Sequence, residues 1–182
     1  MVSMNVFQKF FVNRFNRRRV PKRVISLLDK AGIAISGTFL EVGAGLGYTS
    51  YAIFDKFHPK RVVISDFDPR QIQAGQKLAE KKYGTIPPEL EFRQEDALHL
   101  SFESKSFDFV LSTLMFHHLE DRGWEFKKTP QAIQEIQRIL RPHGTLIFWD
   151  IFVHKQMDDL FLQAGYTILY KTTRQRIYQH SL

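Results

Sequence analysis

Cysteine is missing from this chain of 182 residues. That absence removes disulfides, thiolate zinc sites and cysteine nucleophiles from consideration. No apolar run is long enough to span a bilayer. The start of the chain has no signal-peptide core, because Gln8, Lys9, Asn13 and Arg14 interrupt its apolar residues. The expected compartment is therefore the cytoplasm. No Pro-, Gly- or Ser-rich linker, internal repeat or low-complexity tract divides the sequence, so a single domain is expected at this length.

What is present begins with charge. The net charge is +7, and much of the excess comes early. Lys9, Arg14, Arg17, Arg18, Arg19, Lys22 and Arg23 all precede the first acidic residue, Asp29. Such a segment attracts nucleic acid, an anionic membrane surface or an acidic substrate, or it is simply a solvated helix face. Phe7, Phe10, Phe11 and Phe15 recur there at helical spacing. Residues 1–30 thus read as a basic helical segment and a candidate lid over a domain at 31–182.

Strand and helix signals alternate along the rest, which argues for a parallel sheet covered on both faces. The expected strands are Thr38 to Val42, Arg61 to Ser65, Leu90 to Arg93, Phe107 to Thr113 and Thr145 to Phe148. Tyr166 to Lys171 and Arg174 to Tyr178 follow as a hairpin through Thr172 and Thr173. The expected helices are Tyr48 to Phe57, Arg70 to Tyr83 behind Pro69, one opening at Thr129 as N-cap with Pro130 first, and Asp158 to Ala164.

Leu40 to Gly47 read LEVGAGLG. A buried strand runs into Gly43, Gly45 and Gly47, then into a helix. Glycines without Cβ let the backbone turn sharply and approach a ligand. A dinucleotide-binding turn wants G-x-G-x-x-G. Here Tyr48 stands where the third glycine should be. Ligands in such sheets bind beyond the carboxyl ends of the strands. Glu41, Asp66, Asp96, Thr113 and Asp150 are all expected at strand ends.

From Thr38 onward the chain resembles the class I S-adenosylmethionine-dependent methyltransferases, in the small type 11 group. Five segments carry the likeness: the E-x-G-x-G-x-G turn, SDFDP at 65–69, EDALHL at 95–100, SFDFVLSTLMFHHL at 106–119 and RILRPHGTLIF at 138–148. The last has His143-Gly144 where Gly-Gly is usual. The resemblance implies a single-domain, Rossmann-like, seven-stranded, mostly parallel sheet with an antiparallel C-terminal hairpin and helices on both faces. It implies S-adenosyl-L-methionine as cofactor. Gly43, Ala44, Gly45 and Gly47 would line the methionine part, and Glu41 would stabilise its ammonium. Asp66 would accept from the ribose hydroxyls and Phe67 would pack on adenine. Asp96 would accept from the adenine amino group, with Ala97 leaving room beside the ring. Thr113 and Leu114 would flank the cofactor through their backbone, and His117 would border its pocket.

His117 and His118 are adjacent, so they are expected to point apart and not to form a metal pair. His117, His118 and Asp150 are candidate bases, but the sequence assigns no catalytic residue. A small or lipid-like acceptor is the leading substrate class. RNA or protein methylation is favoured only by charge, and no N-P-P-Y-type motif or aromatic-basic RNA signature supports it. A regulatory S-adenosylmethionine-binding protein without turnover carries the same motifs. An NAD-dependent oxidoreductase is the weakest contender. The late part of the sheet has little room for a lid insertion, so the N-terminal segment is the expected cover.

Overall fold

The computed structural model describes residues 6–120, 126–150 and 155–181, with side chains from residue 19 onward. Seven strands form one sheet. They are β1 (Thr38–Val42), β2 (Arg61–Asp66), β3 (Leu90–Gln94), β4 (Phe107–Thr113), β5 (Leu140–Trp149), β6 (Tyr166–Lys171) and β7 (Gln175–His180). Their order is β3-β2-β1-β4-β5-β7-β6. The first five run parallel, and β7 lies antiparallel between β5 and β6.

The central strands are apolar on both sides because both sides are covered. Val62, Val63 and Ile64 are successive residues of β2 and all are fully buried. That continuous pattern belongs to a parallel sheet with helices on each face. On one face, α1 (Val6–Ala31), α2 (Tyr48–Phe57) and α3 (Pro69–Tyr83) pack through Val24, Leu28, Ile53 and Ala79. On the other, α4 (Thr129–Ile139) and α5 (Lys155–Gln163) pack through Ile133, Ile136, Met157 and Phe161. No helix among the described residues is long and apolar enough to cross a membrane.

Several boundaries differ from the sequence expectation. Thr129 is not the N-cap of α4; that position is Lys128, without a side-chain cap. The Thr129 hydroxyl instead donates to Glu120 Oε1 at 2.8 Å. Strand β5 starts at Leu140, five residues before Thr145, because Phe107 pairs with Leu140 and Phe109 already with Thr145. The residues between form an outward bulge, in which His143 takes φ 61°. Helix α5 opens at Lys155 instead of Asp158, and β7 is shifted onto Gln175–His180. The phenylalanine face at Phe7, Phe10, Phe11 and Phe15, with Lys9, Arg14, Arg17 and Arg18, lies outside the described side chains. Further along α1, Val20 and Leu27 are buried while Arg19, Lys22 and Arg23 are exposed.

Candidate active site

The chain reverses its direction of progress between β1 and β4, which are neighbours in the sheet. Such a switch point opens a crevice at the carboxyl ends of the strands. The turn after β1 is held there from three directions. The Ala44 N–H donates to the Ser65 carbonyl at 2.8 Å, and the Gly47 N–H to the Ala44 carbonyl at 3.0 Å. The Gly45 N–H donates to Asp66 Oδ2 at 2.8 Å.

The glycines of this turn do different jobs. Gly43 has φ 71°, and a Cβ there would stand 2.4 Å from Met115 Cγ, so its missing side chain makes room for protein. Gly45 has φ 56°, and a Cβ there would meet nothing closer than Gln71 Oε1 at 4.0 Å. It is the glycine that faces open space. Gly47 is buried against Ile64 and Tyr51 and starts α2 from a left-handed conformation. Its part is packing.

Asp66 ends β2 and ties the glycine turn to the start of α3. Its Oδ1 accepts the Asp68 N–H at 2.9 Å, while Oδ2 holds Gly45. Each carboxylate oxygen has further acceptor capacity beyond one such bond. Asp68 caps α3 by accepting the Arg70 N–H at 2.9 Å, as D-P suggests. Phe67, between them, is 60% exposed, so it is no core residue. Asp96 accepts the Leu98 N–H through Oδ1 at 2.9 Å, and Ala97 beside it is buried. The neighbouring Glu95 carboxylate takes the Ser101 N–H and hydroxyl, which fixes the loop that presents Asp96.

Glu41 is placed differently from the other acids. It is the fourth residue of β1, not its end, and only 1% of it is exposed. Its Oε2 accepts the Ser50 N–H at 3.0 Å and the Ser50 hydroxyl at 2.6 Å. Its Oε1 accepts the Thr113 hydroxyl at 3.1 Å. Gly47 has no side chain to cap α2, and Glu41 satisfies an orphan first-turn donor in its place. Burial pushes its pKa up to about 7, against the lowering effect of the Ser50 and Thr113 hydrogen bonds.

Beyond β4, Leu114 takes φ 55° and donates its N–H to the Trp149 carbonyl at 2.8 Å. A left-handed leucine is strained, and such strain concentrates at functional turns. A 3₁₀ turn at Phe116–His118 comes next. Here the expected divergence of the two histidines fails. Their ring centroids lie 3.9 Å apart with the planes tilted by 43°. His117 Nδ1 lies 2.8 Å from Asp150 Oδ1, just past β5, and the His117 N–H reaches Asp150 Oδ2 at 3.3 Å. Burial, and then the neighbouring His117, lowers the His118 pKa against the pull of Asp150 and Asp66. Among the described residues no group of three His, Asp or Glu could hold a metal ion.

The turn, Asp66, Phe67, Asp96, Thr113, Leu114 and His117 therefore all belong to the carboxyl-end rim, and Glu41 lies beneath it. The sequence does not show His117 and Asp150 as a pair. Their only signal is that each residue comes after one of two strands that adjoin in the sheet.

A sequence model of a methyltransferase domain matches residues 40–148. The chain is 30% identical over 122 residues to the ubiquinone/menaquinone biosynthesis C-methyltransferase of Hahella chejuensis, covering 66% of this chain and 45% of that one. It is 32% identical over 112 residues to the phthiotriol/phenolphthiotriol dimycocerosates methyltransferase of Mycobacterium leprae, covering 62% and 37%. The chain thus spans less than half the length of these curated relatives. An S-adenosylmethionine-dependent methyltransferase from Aquifex aeolicus shares the fold, with a TM-score of 0.71, 16% identity and 91% of each chain covered.

Proposed function

The chain belongs to the class I S-adenosylmethionine-dependent methyltransferases, and from that premise we propose that it transfers a methyl group from S-adenosylmethionine to a small-molecule or lipid-like acceptor. The observation that carries the cofactor reading is Gly45 facing open space beside the Asp66 carboxylate. Asp66 has acceptor capacity left for two ribose hydroxyls. Phe67 offers an exposed apolar ring next to it, and Asp96 Oδ2 is available to an adenine amino group. The amides of Ala44 and Gly45 are already committed to Ser65 and Asp66. This turn therefore lacks the row of free N–H groups that cradles a pyrophosphate, which favours S-adenosylmethionine over a dinucleotide.

When bound, the cofactor supplies an electrophilic methyl group on a sulfonium. The protein's task is then orientation in a dry crevice, which can supply several powers of ten in rate. Glu41 places a carboxylate below the Gly43–Gly47 turn, where it favours a nearby ammonium. Asp150, accepting from His117 Nδ1–H, leaves His117 Nε2 with its lone pair. His117 then serves as base for a hydroxyl or acidic carbon of the acceptor. The relatives' names, one in ubiquinone and menaquinone biosynthesis and one for phthiotriol dimycocerosates, favour an apolar acceptor.

Two measurements test this. Calorimetry with S-adenosylhomocysteine should show affinity reduced at least about tenfold in Asp66→Asn, since a charge-assisted hydrogen bond contributes about 1.5–3 kcal/mol. Unchanged affinity removes Asp66 from the site. Methyl-labelled S-adenosylmethionine incubated with protein and host extract should leave label in the organic phase. Label confined to the aqueous phase, and sensitive to nuclease or protease, would replace the acceptor class with RNA or protein.

A further inference from the structure

A second concave site lies on the α1 face of the sheet, between that helix and the β6–β7 turn. It is a groove of about 520 Å³ whose lining includes Arg23 and Lys30 from α1, Arg174 from the turn, and Trp149 at its wall. Three cations thus converge with no carboxylate among the described lining residues. None of the three forms an ion pair among the described residues, although Lys56 and Arg61 elsewhere on the surface do. Ser26, Thr172 and Thr173 also line the groove.

Trp149 supplies an independent observation. The residue is 2% exposed, and its indole N–H has no hydrogen-bond partner among the described residues. A buried donor left unpaired costs free energy. The Arg23 guanidinium lies 5.6 Å from the centre of the Trp149 ring. Three cations without a carboxylate partner, on a wall that also holds an orphan donor, suit one chemistry, an oxyanion with several acceptor oxygens. Trp149 also directly precedes Asp150, which holds His117.

We infer that this groove binds a phosphate or diphosphate group carried by the methyl acceptor. The acceptor half of that statement rests on the methyltransferase reading; the anion half does not. Anchoring such a group through Arg23, Lys30 and Arg174 fixes the far end of the substrate while its reacting atom lies toward His117.

The chain has two tryptophans, so Trp124→Phe leaves Trp149 as the sole indole reporter. Inorganic pyrophosphate, titrated at constant ionic strength, should change Trp149 emission saturably at submillimolar to millimolar concentration. Adding Arg23→Ala and Arg174→Ala should raise the midpoint at least about tenfold, with S-adenosylhomocysteine affinity and melting temperature retained. Methyl transfer to extract acceptors at limiting extract should fall in parallel. Phosphatidylglycerol vesicles, compared with phosphatidylcholine vesicles, then identify the source of the group. A response to both pyrophosphate and phosphatidylglycerol supports a lipid headgroup, and a response to pyrophosphate alone supports a free phosphorylated metabolite. No saturable pyrophosphate response, a response unaltered by the double substitution, or a response to vesicles only would overturn the groove. If S-adenosylhomocysteine still bound in that case, the cofactor reading would stand without it. A pyrophosphate response in a protein that fails to bind S-adenosylhomocysteine would overturn the acceptor half instead.

Discussion

Glu41 keeps its carboxylate in a space closed to water, and its proton has a thermodynamic consequence. The folded protein holds that proton up to about pH 7, whereas the unfolded chain releases it near the ordinary value of 4.5. Within that window the native state binds more protons than the unfolded one, so stability falls as pH rises, by up to about 1.4 kcal/mol per pH unit. The contribution is complete below 4.5 and lost above about 7. Glutamine at this position keeps an acceptor for Ser50 and offers its amide to Thr113. Urea unfolding at several pH values should show wild type losing stability relative to Glu41→Gln across the window. A constant difference would mean that Glu41 does not titrate there. Affinity for S-adenosylhomocysteine should also rise with pH more steeply in wild type than in the variant. Residues whose partners are local are readable from the sequence. Asp68 caps a helix two residues away, and D-P marks such a start. Glu41 bonds Thr113 across 72 residues, and no pattern of spacing carries that pairing. The enclosed Glu41 therefore reads as a strand-end acid until the sheet is assembled. His143 is visible as a departure from Gly-Gly, but its left-handed φ of 61° is not.

At the scale of elements, α4 depends on a residue outside it. Glu120 Oε2 accepts the Lys127 N–H at 3.0 Å. Its Oε1 accepts the N–H groups of Lys128 and Thr129 at 3.0 and 2.8 Å and the Thr129 hydroxyl at 2.8 Å. Burial works against the Glu120 charge, but the Thr129, Lys128 and Lys127 hydrogen bonds outweigh it and hold the carboxyl below its usual range. The helix dipole favours the same charge. The stabilisation is therefore present above the unfolded value of 4.5 and is lost as pH falls through the lower folded value. Glu120→Gln should cost about 1–2 kcal/mol at neutral pH and progressively less on acidification, as read by denaturant midpoints. An equal cost at acidic pH would locate the effect in packing. This arrangement explains why Thr129, a good capping residue by type, is not the cap. Its hydroxyl is already committed to Glu120, a residue that nothing in the sequence pattern marks. Helices α2 and α3 match their expected bounds because glycine and proline punctuate both. Strand β5 does not, since Pro142 and the bulge through Gly144 look like a turn before the strand and are part of its path.

For the molecule as a whole, the proposed site joins segments that follow β1, β2, β3, β4 and β5, so a ligand bound there should stabilise the sheet as a unit. S-adenosylhomocysteine at a hundredfold excess over its dissociation constant should add about 2.7 kcal/mol. For a chain of this length that corresponds to roughly 5–10 °C in melting temperature. Scanning calorimetry showing no shift at saturating ligand would contradict binding to the native fold. The alternating elements make the doubly covered sheet readable, and the apolar run of β2 marks its centre. The insertion of β7 between β5 and β6 is not readable from a hairpin's sequence, because either arm satisfies the same alternation. That insertion also dictates an order of assembly on the ribosome. When Trp149 has emerged, the outer edge of β5 is complete but has no neighbour on that side. β6 is made next, yet in the finished sheet it never touches β5. Only the last strand, Gln175–His180, closes the gap. Through the synthesis of some thirty residues the nascent protein therefore carries an open strand edge, the kind of surface that recruits chaperones or neighbouring chains.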